Sequence, residues 1–258
     1  MSEILHVNEI SLSFGGLKAV QNFSLSLPDG ALYGLIGPNG AGKTTVFNLL
    51  TGVYRPDAGT ISLKGRKLNG LSPHKLSAAG LARTFQNIRL FKQLTVLDNV
   101  MVATYQSLSH GIFGICFRTK KHRRQEQEQQ DRAMHLLRLF ELERYADELA
   151  GNLPYGHQRR LEIARALATQ PHVLLLDEPA AGMNPAEKVE LAHLIQRIRD
   201  EFNITILLID HDMGLIMRIC QEITVLDHGL IIAHGTPDQI QNNPKVIEAY
   251  LGIDAVEE

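Results

Sequence analysis

The stretch Gly37-Pro38-Asn39-Gly40-Ala41-Gly42-Lys43-Thr44-Thr45 fits the pattern G-x-x-x-x-G-K-[ST] at every fixed position. Residues of these types at this spacing bind phosphate. Glycines let the backbone turn its N–H groups inward, Lys43 reaches the β- and γ-phosphates of a nucleoside triphosphate, and Thr44 offers a hydroxyl to Mg²⁺. Two further clusters suit the same chemistry. Asp177-Glu178 ends the apolar run 173–176, the first carboxylate fitted to hold the metal and the second to orient or deprotonate an attacking water. Asp210-His211-Asp212 ends the run 204–209, and His211 there is a candidate γ-phosphate contact. Alone, two acids after a strand read as a solvated turn and a lone His as a locally satisfied one. The phosphate loop upstream favours the metal and phosphate reading.

These side chains need rigid elements to hold them. Ala31-Leu32-Tyr33-Gly34-Leu35-Ile36 reads as a buried strand before the loop, and Val46, Leu49 and Leu50 recur at helical spacing after it, up to Gly52. A helix start adds the positive end of its dipole to the inward N–H groups. The runs 173–176 and 204–209 read as further buried strands, separated by a helix that begins at Asn184-Pro185 with Glu187 and carries Leu191, Leu194, Ile195 and Ile198 on one face. Together they predict an α/β fold.

The remainder divides by period. Ile10, Leu12 and Phe14, then Phe23, Leu25 and Leu27, alternate with polar residues on either side of Gly15-Gly16 and predict an antiparallel β start. Phe14 closes the first strand; by itself it reads as a core or turn aromatic, though its face could stack on a base. Residues 59–65 add a strand, and Ser72-Pro73 caps a short helix. After Gln86 the pattern turns helical, with Thr95 and Asp98 opening one helix and residues 119–142 forming a polar, then amphipathic one. Its run Lys120-Lys121-His122-Arg123-Arg124 reads as a solvated face, with headgroup or partner contact as the minority reading. Residues 87–155 thus read as a helical lobe inserted into a core of 1–86 and 156–258. A closing hairpin over 223–233 and two short helices, the first with Thr236 and Gln239 as a capping box, finish the chain before Gly252.

Twenty-six basic against 28 acidic residues give no sign of a nucleic-acid partner. Cys116 and Cys220 lack metal-like spacing, which fits buried apolar thiols in a reducing compartment. Met1-Ser2-Glu3-Ile4-Leu5-His6 lacks the features of a secretion signal, and the longest apolar stretch, 111–117, falls far short of the roughly 20 residues that cross a bilayer. A cytoplasmic location is expected, with membrane association through a partner.

Leu153-Pro154-Tyr155-Gly156-His157-Gln158-Arg159-Arg160-Leu161-Glu162-Ile163-Ala164-Arg165-Ala166-Leu167 resembles the signature loop and helix of the ATP-binding cassette family. With the phosphate loop, Gln86, Asp177-Glu178 and His211 in that family's order, the resemblance covers essentially the whole chain. The segments Arg83-Thr84-Phe85-Gln86-Asn87-Ile88-Arg89-Leu90-Phe91, Asp177-Glu178-Pro179-Ala180-Ala181-Gly182-Met183-Asn184-Pro185 and Ala249-Tyr250-Leu251-Gly252 are similar to those of the ATPases of branched-chain (hydrophobic) amino-acid importers, in particular the larger of their two ATPase subunits.

The resemblance implies a P-loop ATPase fold with an antiparallel β subdomain and an inserted α-helical subdomain. It implies ATP and Mg²⁺ as ligands, a second cassette in a homo- or heterodimer, two transmembrane permease subunits, indirect coupling to an amino-acid-binding protein, and a peripheral place on the cytoplasmic face of the inner membrane. It also implies roles. Phe14 stacks on adenine, residues 37–45 hold phosphates, and Thr44, Gln86 and Asp177 surround Mg²⁺. Glu178 polarises water, His211 contacts the γ-phosphate, and Gly156 and His157 approach the facing subunit's nucleotide. Asn184 contacts the facing chain. One departure stands out: Pro154 occupies a position that is usually Ser in the family and offers neither hydroxyl nor N–H. Two alternatives follow: a related transporter with another cargo (urea, amides or lipopolysaccharide), or a nucleotide-gated closure subunit whose sister cassette carries turnover.

Overall fold

The computed structural model describes residues 3–104 and 120–251, the side chains of 120–123 excepted. Cys116, the 111–117 stretch, Gly252 and the charged side chains of Lys120 to Arg123 therefore lie outside the described residues. The chain forms two compact units, Met1–Gln86 with His172–Glu258, and Asn87–Pro171. The chain re-enters the first unit at His172, later than the residue 156 expected from sequence, because the helix carrying the signature segment packs with the other helices of the second unit.

In the first unit, β1 (Glu3–Phe14), β2 (Leu17–Pro28), β4 (Ala58–Leu63) and β5 (Arg66–Lys67) make an antiparallel sheet in the order β2-β1-β4-β5. β1 and β2 are longer than their alternating cores because bulges at Glu9 and Asn22, both at positive φ, absorb register shifts. A second sheet combines β3 (Leu32–Ile36), β6 (Leu81–Arg83), β7 (Val173–Asp177), β8 (Thr205–Ile209), β9 (Glu222–Asp227) and β10 (Leu230–Gly235) in the order β10-β9-β3-β8-β7-β6. Only the β9–β10 hairpin is antiparallel. Every residue of β3, β7 and β8 is buried, as expected of parallel strands covered on both faces. Helices α1 (Lys43–Leu50), α2 (Pro73–Ala78), α6 (Pro185–Phe202), α7 (Met213–Ile219), α8 (Pro237–Gln241) and α9 (Pro244–Leu251) belong to this unit.

The second unit packs α3 (Val96–Thr104), α4 (Lys120–Leu139) and α5 (Tyr155–Ala168) around Val100, Ala133, Leu137, Phe140 and Leu161. Buried polar residues tie its loops down. Asn99 accepts the Phe91 N–H at 2.9 Å and donates to the carbonyls of Phe91 and Thr95. Arg159, fully buried, donates to Glu162 at 2.8 Å, and Glu162 also accepts the Arg89 N–H. Among the described residues no helix is long and apolar enough to cross a membrane.

Candidate nucleotide site

Three neighbouring parallel strands, in the order β3-β8-β7, end at one edge of the sheet. Beyond them follow the glycine loop, His211 and Glu178, with Asp177 as the last residue of β7. The chain-order distance between these motifs is thereby cancelled by the topology, as in open α/β sheets generally.

The loop's shape requires glycine at two positions. Gly37 sits at φ 150° and Gly42 at φ 104°; a Cβ would meet Leu226 O at 2.0 Å on the first and Ala19 O at 2.6 Å on the second. Gly42 is also the residue before α1, so the chain passes from the loop into the helix with the N–H groups of its first turn unspent. Lys43, 9 % exposed, folds its ammonium back onto the carbonyls of Gly37 (2.6 Å) and Pro38 (2.8 Å). Burial lowers its pKa, while the carboxylates of Glu178 and Asp177 oppose that fall. An anion seated in the loop would meet a cation that is already desolvated. Pro38, Asn39, Gly40, Ala41 and Thr45 complete the turn and the helix start, and Thr44 stands on the first turn with its side chain accessible.

On the facing side, Gln86 Nε2 donates to Glu178 Oε2 at 2.9 Å, and His211 Nδ1 lies 3.7 Å from the same oxygen. Glu178 adopts φ 47°, its N–H donating to Ile209 O at 2.7 Å, so a side chain is held at the site through left-handed backbone. Gln86, Asp177, Glu178 and His211 are thus brought together with Lys43. Phe14 ends β1 with its ring half exposed and edge-on to Tyr54 at 5.2 Å, which leaves an aromatic face for stacking. Thr44, Gln86 and Asp177 offer hydroxyl, amide and carboxylate oxygens, the hard donors Mg²⁺ takes alongside substrate phosphates. The donor set fits the ion.

Gly156 and His157 lie in the second unit, in the first turn of α5. Pro154 is the residue before that helix and supplies no side-chain cap; the first intrahelical bond runs from Gln158 N–H to Pro154 O at 3.0 Å. The His157 ring meets Tyr145 edge-on at 5.2 Å.

Other residues enter that sequence reasoning gave no role. Asp210, 1 % exposed, accepts the N–H groups of Asp212 (2.9 Å) and Ala180 (3.2 Å); burial raises its pKa, and those two bonds pull it back. It links the loops after β7 and β8, and so sets His211 against Glu178. Asp212 is held low by the Lys188 ammonium, 2.5 Å away, and caps α7. Tyr250 of α9 bonds to the Gly37 backbone, its phenol pushed up by burial. Arg83 Nη2 donates to Asp177 Oδ2 at 2.7 Å. The acidic doublet at the end of β7 calls for a cation partner; its location in β6 could not be read without the pairing of β6 to β7.

A glycine loop entering a helix, a metal-type carboxylate, a second carboxylate and a histidine at adjacent strand ends define a nucleoside triphosphatase of the P-loop class. Comparison with known proteins narrows this. Residues 20–181 match the ABC transporter family model, and residues 231–256 match a model described as branched-chain amino acid ATP-binding cassette transporter. The chain is 51 % identical over 249 residues to the high-affinity branched-chain amino acid transport ATP-binding protein LivG of Salmonella typhimurium, covering 96 % of this chain and 98 % of that one. BraF of Pseudomonas aeruginosa, described in the same words, is 49 % identical over the same shares. The crystal structure of the ADP conformation of MJ1267, an ATP-binding cassette of an ABC transporter, superposes with a TM-score of 0.85 at 30 % identity, over 98 % of this chain and 100 % of that one. This chain belongs to the ABC transporter family of ATP-binding cassettes. Members of that family bind ATP or ADP and hydrolyse ATP to drive transport.

Proposed function

We propose that this chain is the ATP-hydrolysing subunit of an importer of branched-chain, hydrophobic amino acids. It would work as one of two cassettes beneath two permease subunits, on the cytoplasmic face of the inner membrane. The observation that carries the cargo is end-to-end similarity to LivG and BraF, together with the C-terminal match over 231–256.

The residues divide the work by position. Phe14 would stack on the adenine, and the loop from Gly37 to Thr45 would cradle the phosphates, with the N–H groups of the first turn of α1 among its donors. Lys43 would exchange its two carbonyl partners for β- and γ-phosphate oxygens, which accept more strongly because they are charged. Thr44, Gln86 and Asp177 would hold Mg²⁺. That ion, when bound, would neutralise charge developing on the transferred phosphoryl group. Glu178 would accept a hydrogen bond from the attacking water and orient it. His211, poised beside Glu178, would reach the γ-phosphate. Gly156 and His157 would close the site of a facing cassette with helix-start amides.

Reconstitution tests this. The chain, its co-purifying permeases and any second cassette are placed in proteoliposomes, and labelled leucine uptake is followed with ATP supplied on the cassette side. ATP-dependent uptake that disappears with Glu178→Gln is expected. ATP turnover insensitive to leucine or its binding protein, but stimulated by another cargo, would remove the amino-acid assignment.

A further inference from the structure

The phosphate chemistry does not by itself call for Arg83, yet its guanidinium bonds to Asp177, Asn48 and Thr51. Arg83 ends β6, and its side chain is 7 % exposed. Nη2 donates to Asp177 Oδ2 at 2.7 Å; Nη1 donates to Asn48 Oδ1 at 2.7 Å and to Thr51 Oγ1 at 3.2 Å, both on or just after α1. The guanidinium carbon lies 5.5 Å from the centre of the Phe47 ring and 5.0 Å from that of Phe85. Its Nε–H is buried and meets no acceptor among the described residues. One planar cation therefore joins a carboxylate at the end of β7 to the helix that begins with Lys43 and Thr44.

Stability is a poor explanation for this arrangement. A buried ion pair is often replaced by apolar residues without loss, and here one donor is left unsatisfied as well. Geometry explains it better. Asp177 is 2 % exposed and stands on a rigid strand, and the fork fixes one of its oxygens, leaving the other oriented relative to α1. Arginine suits this where lysine would not, because its planar donors reach Asp177 and α1 at once.

We propose that Arg83 is a positioning residue for the nucleotide-bound divalent cation: by holding Asp177 Oδ2 and α1 together, it sets the spacing between the carboxylate and the Thr44 hydroxyl. This rests on the reading of Asp177 and Thr44 as the metal side of the site. The rival arrangement, in which the guanidinium competes with the cation for Asp177, gives the opposite sign.

Mn²⁺ is the probe, its free concentration read by electron paramagnetic resonance during titration of the full chain with ADP. Arg83→Met is expected to weaken Mn²⁺ binding by about tenfold, the lower end of what partners of metal ligands contribute. ADP affinity in EDTA should change less than about twofold, since none of Arg83's bonds is to the phosphate loop itself. In hydrolysis, the Mg²⁺ concentration at half-saturation should rise more than kcat at saturating Mg²⁺ falls. Arg83→Lys should recover only part of the loss. Unchanged or tighter Mn²⁺ binding by a folded Arg83→Met chain would overturn the proposal. If that variant does not fold, Asn48→Ala, which loosens the fork at α1 alone, decides the matter: weaker Mn²⁺ binding supports the proposal, and unchanged binding overturns it. Asp177→Asn is run beside them. Should it leave Mn²⁺ affinity intact, the assignment of Asp177 to the metal fails, whatever Arg83 does.

Discussion

Glu178 shows at the scale of one residue how function is set against local comfort. Its φ of 47° lies in the left-handed region, which costs a residue with a Cβ roughly 1–2 kcal/mol. The surrounding structure enforces it through the Glu178 N–H bond to Ile209 O. The strain brings the carboxylate to Gln86 and His211. Replacement should therefore invert the usual order of residues. Glu178→Gly is expected to be more stable than Glu178→Ala by about 1 kcal/mol in urea denaturation, whereas glycine at an ordinary site is the weaker of the two. Both should lose hydrolysis by roughly 10²–10⁴-fold, the range for a missing general base. An alanine variant as stable as the glycine one would show that the backbone here is not strained.

At the scale of elements, two helix starts contrast. α6 opens with a complete capping box: Asn184 accepts the Glu187 N–H at 3.0 Å, and Glu187 accepts the Asn184 N–H at 2.8 Å. α5 opens on Pro154, whose side chain accepts nothing. Asn184→Ala should cost about 1 kcal/mol, while Pro154→Ser, at extended φ −54°, ψ 151°, should add a fraction of that by supplying a cap. Chemical denaturation reads both. The serine variant also separates two readings of the signature: hydrolysis close to the parent's is expected, and a large gain would mean that the native signature contributes little catalysis. Such caps are legible in sequence because they are local. So were β3, β7 and β8, short, largely apolar strands leading into glycine or acids, and the alternating strands on either side of Gly15-Gly16. The contacts between elements were not. Arg83 and Asp177 are 94 positions apart, and Gln86 and Glu178 are 92 apart, and only the parallel pairing of β6 with β7 brings each pair together. The helix after Pro154 likewise carries few signs of which unit it joins, since its buried Arg159–Glu162 pair is made of residues that usually mark a solvated face.

At the scale of the whole molecule, pH reports on the core. Cys220, behind β3, is pushed from 9.0 up to about 12 by burial. Below pH 9 both folded and unfolded chains keep the thiol protonated and stability is unaffected. Between pH 9 and about 12 the unfolded chain releases the proton and the folded one retains it, so stability falls as pH rises. At pH 10.5 that loss should be about 2 kcal/mol. In a Cys116→Ser background under reducing conditions, Cys220→Ala should flatten the alkaline limb of the urea midpoint. The limb should not vanish, because Tyr33, also raised to about 12, titrates in the same direction. An equally steep limb in the variant would show that the thiol is not desolvated in solution.

The same scale contains the proposed reaction, in which the phosphate loop of one chain and the signature helix of a facing chain would share one nucleotide. If two chains meet head to tail, Glu178→Gln with ATP and Mg²⁺ should hold them together by blocking the step that releases them. The phosphate loop is complete, and the N–H groups of Tyr155 and Gly156 precede the first intrahelical bond of α5, so Pro154 lacks a hydroxyl and its own N–H but leaves the amides after it in place. This chain alone should then shift to twice its monomer mass in solution, with ADP leaving it monomeric. A mass that doubles only when a second, different cassette is added would make the working transporter asymmetric, and would locate the asymmetry at Pro154 if Pro154→Ser restored dimers of this chain alone.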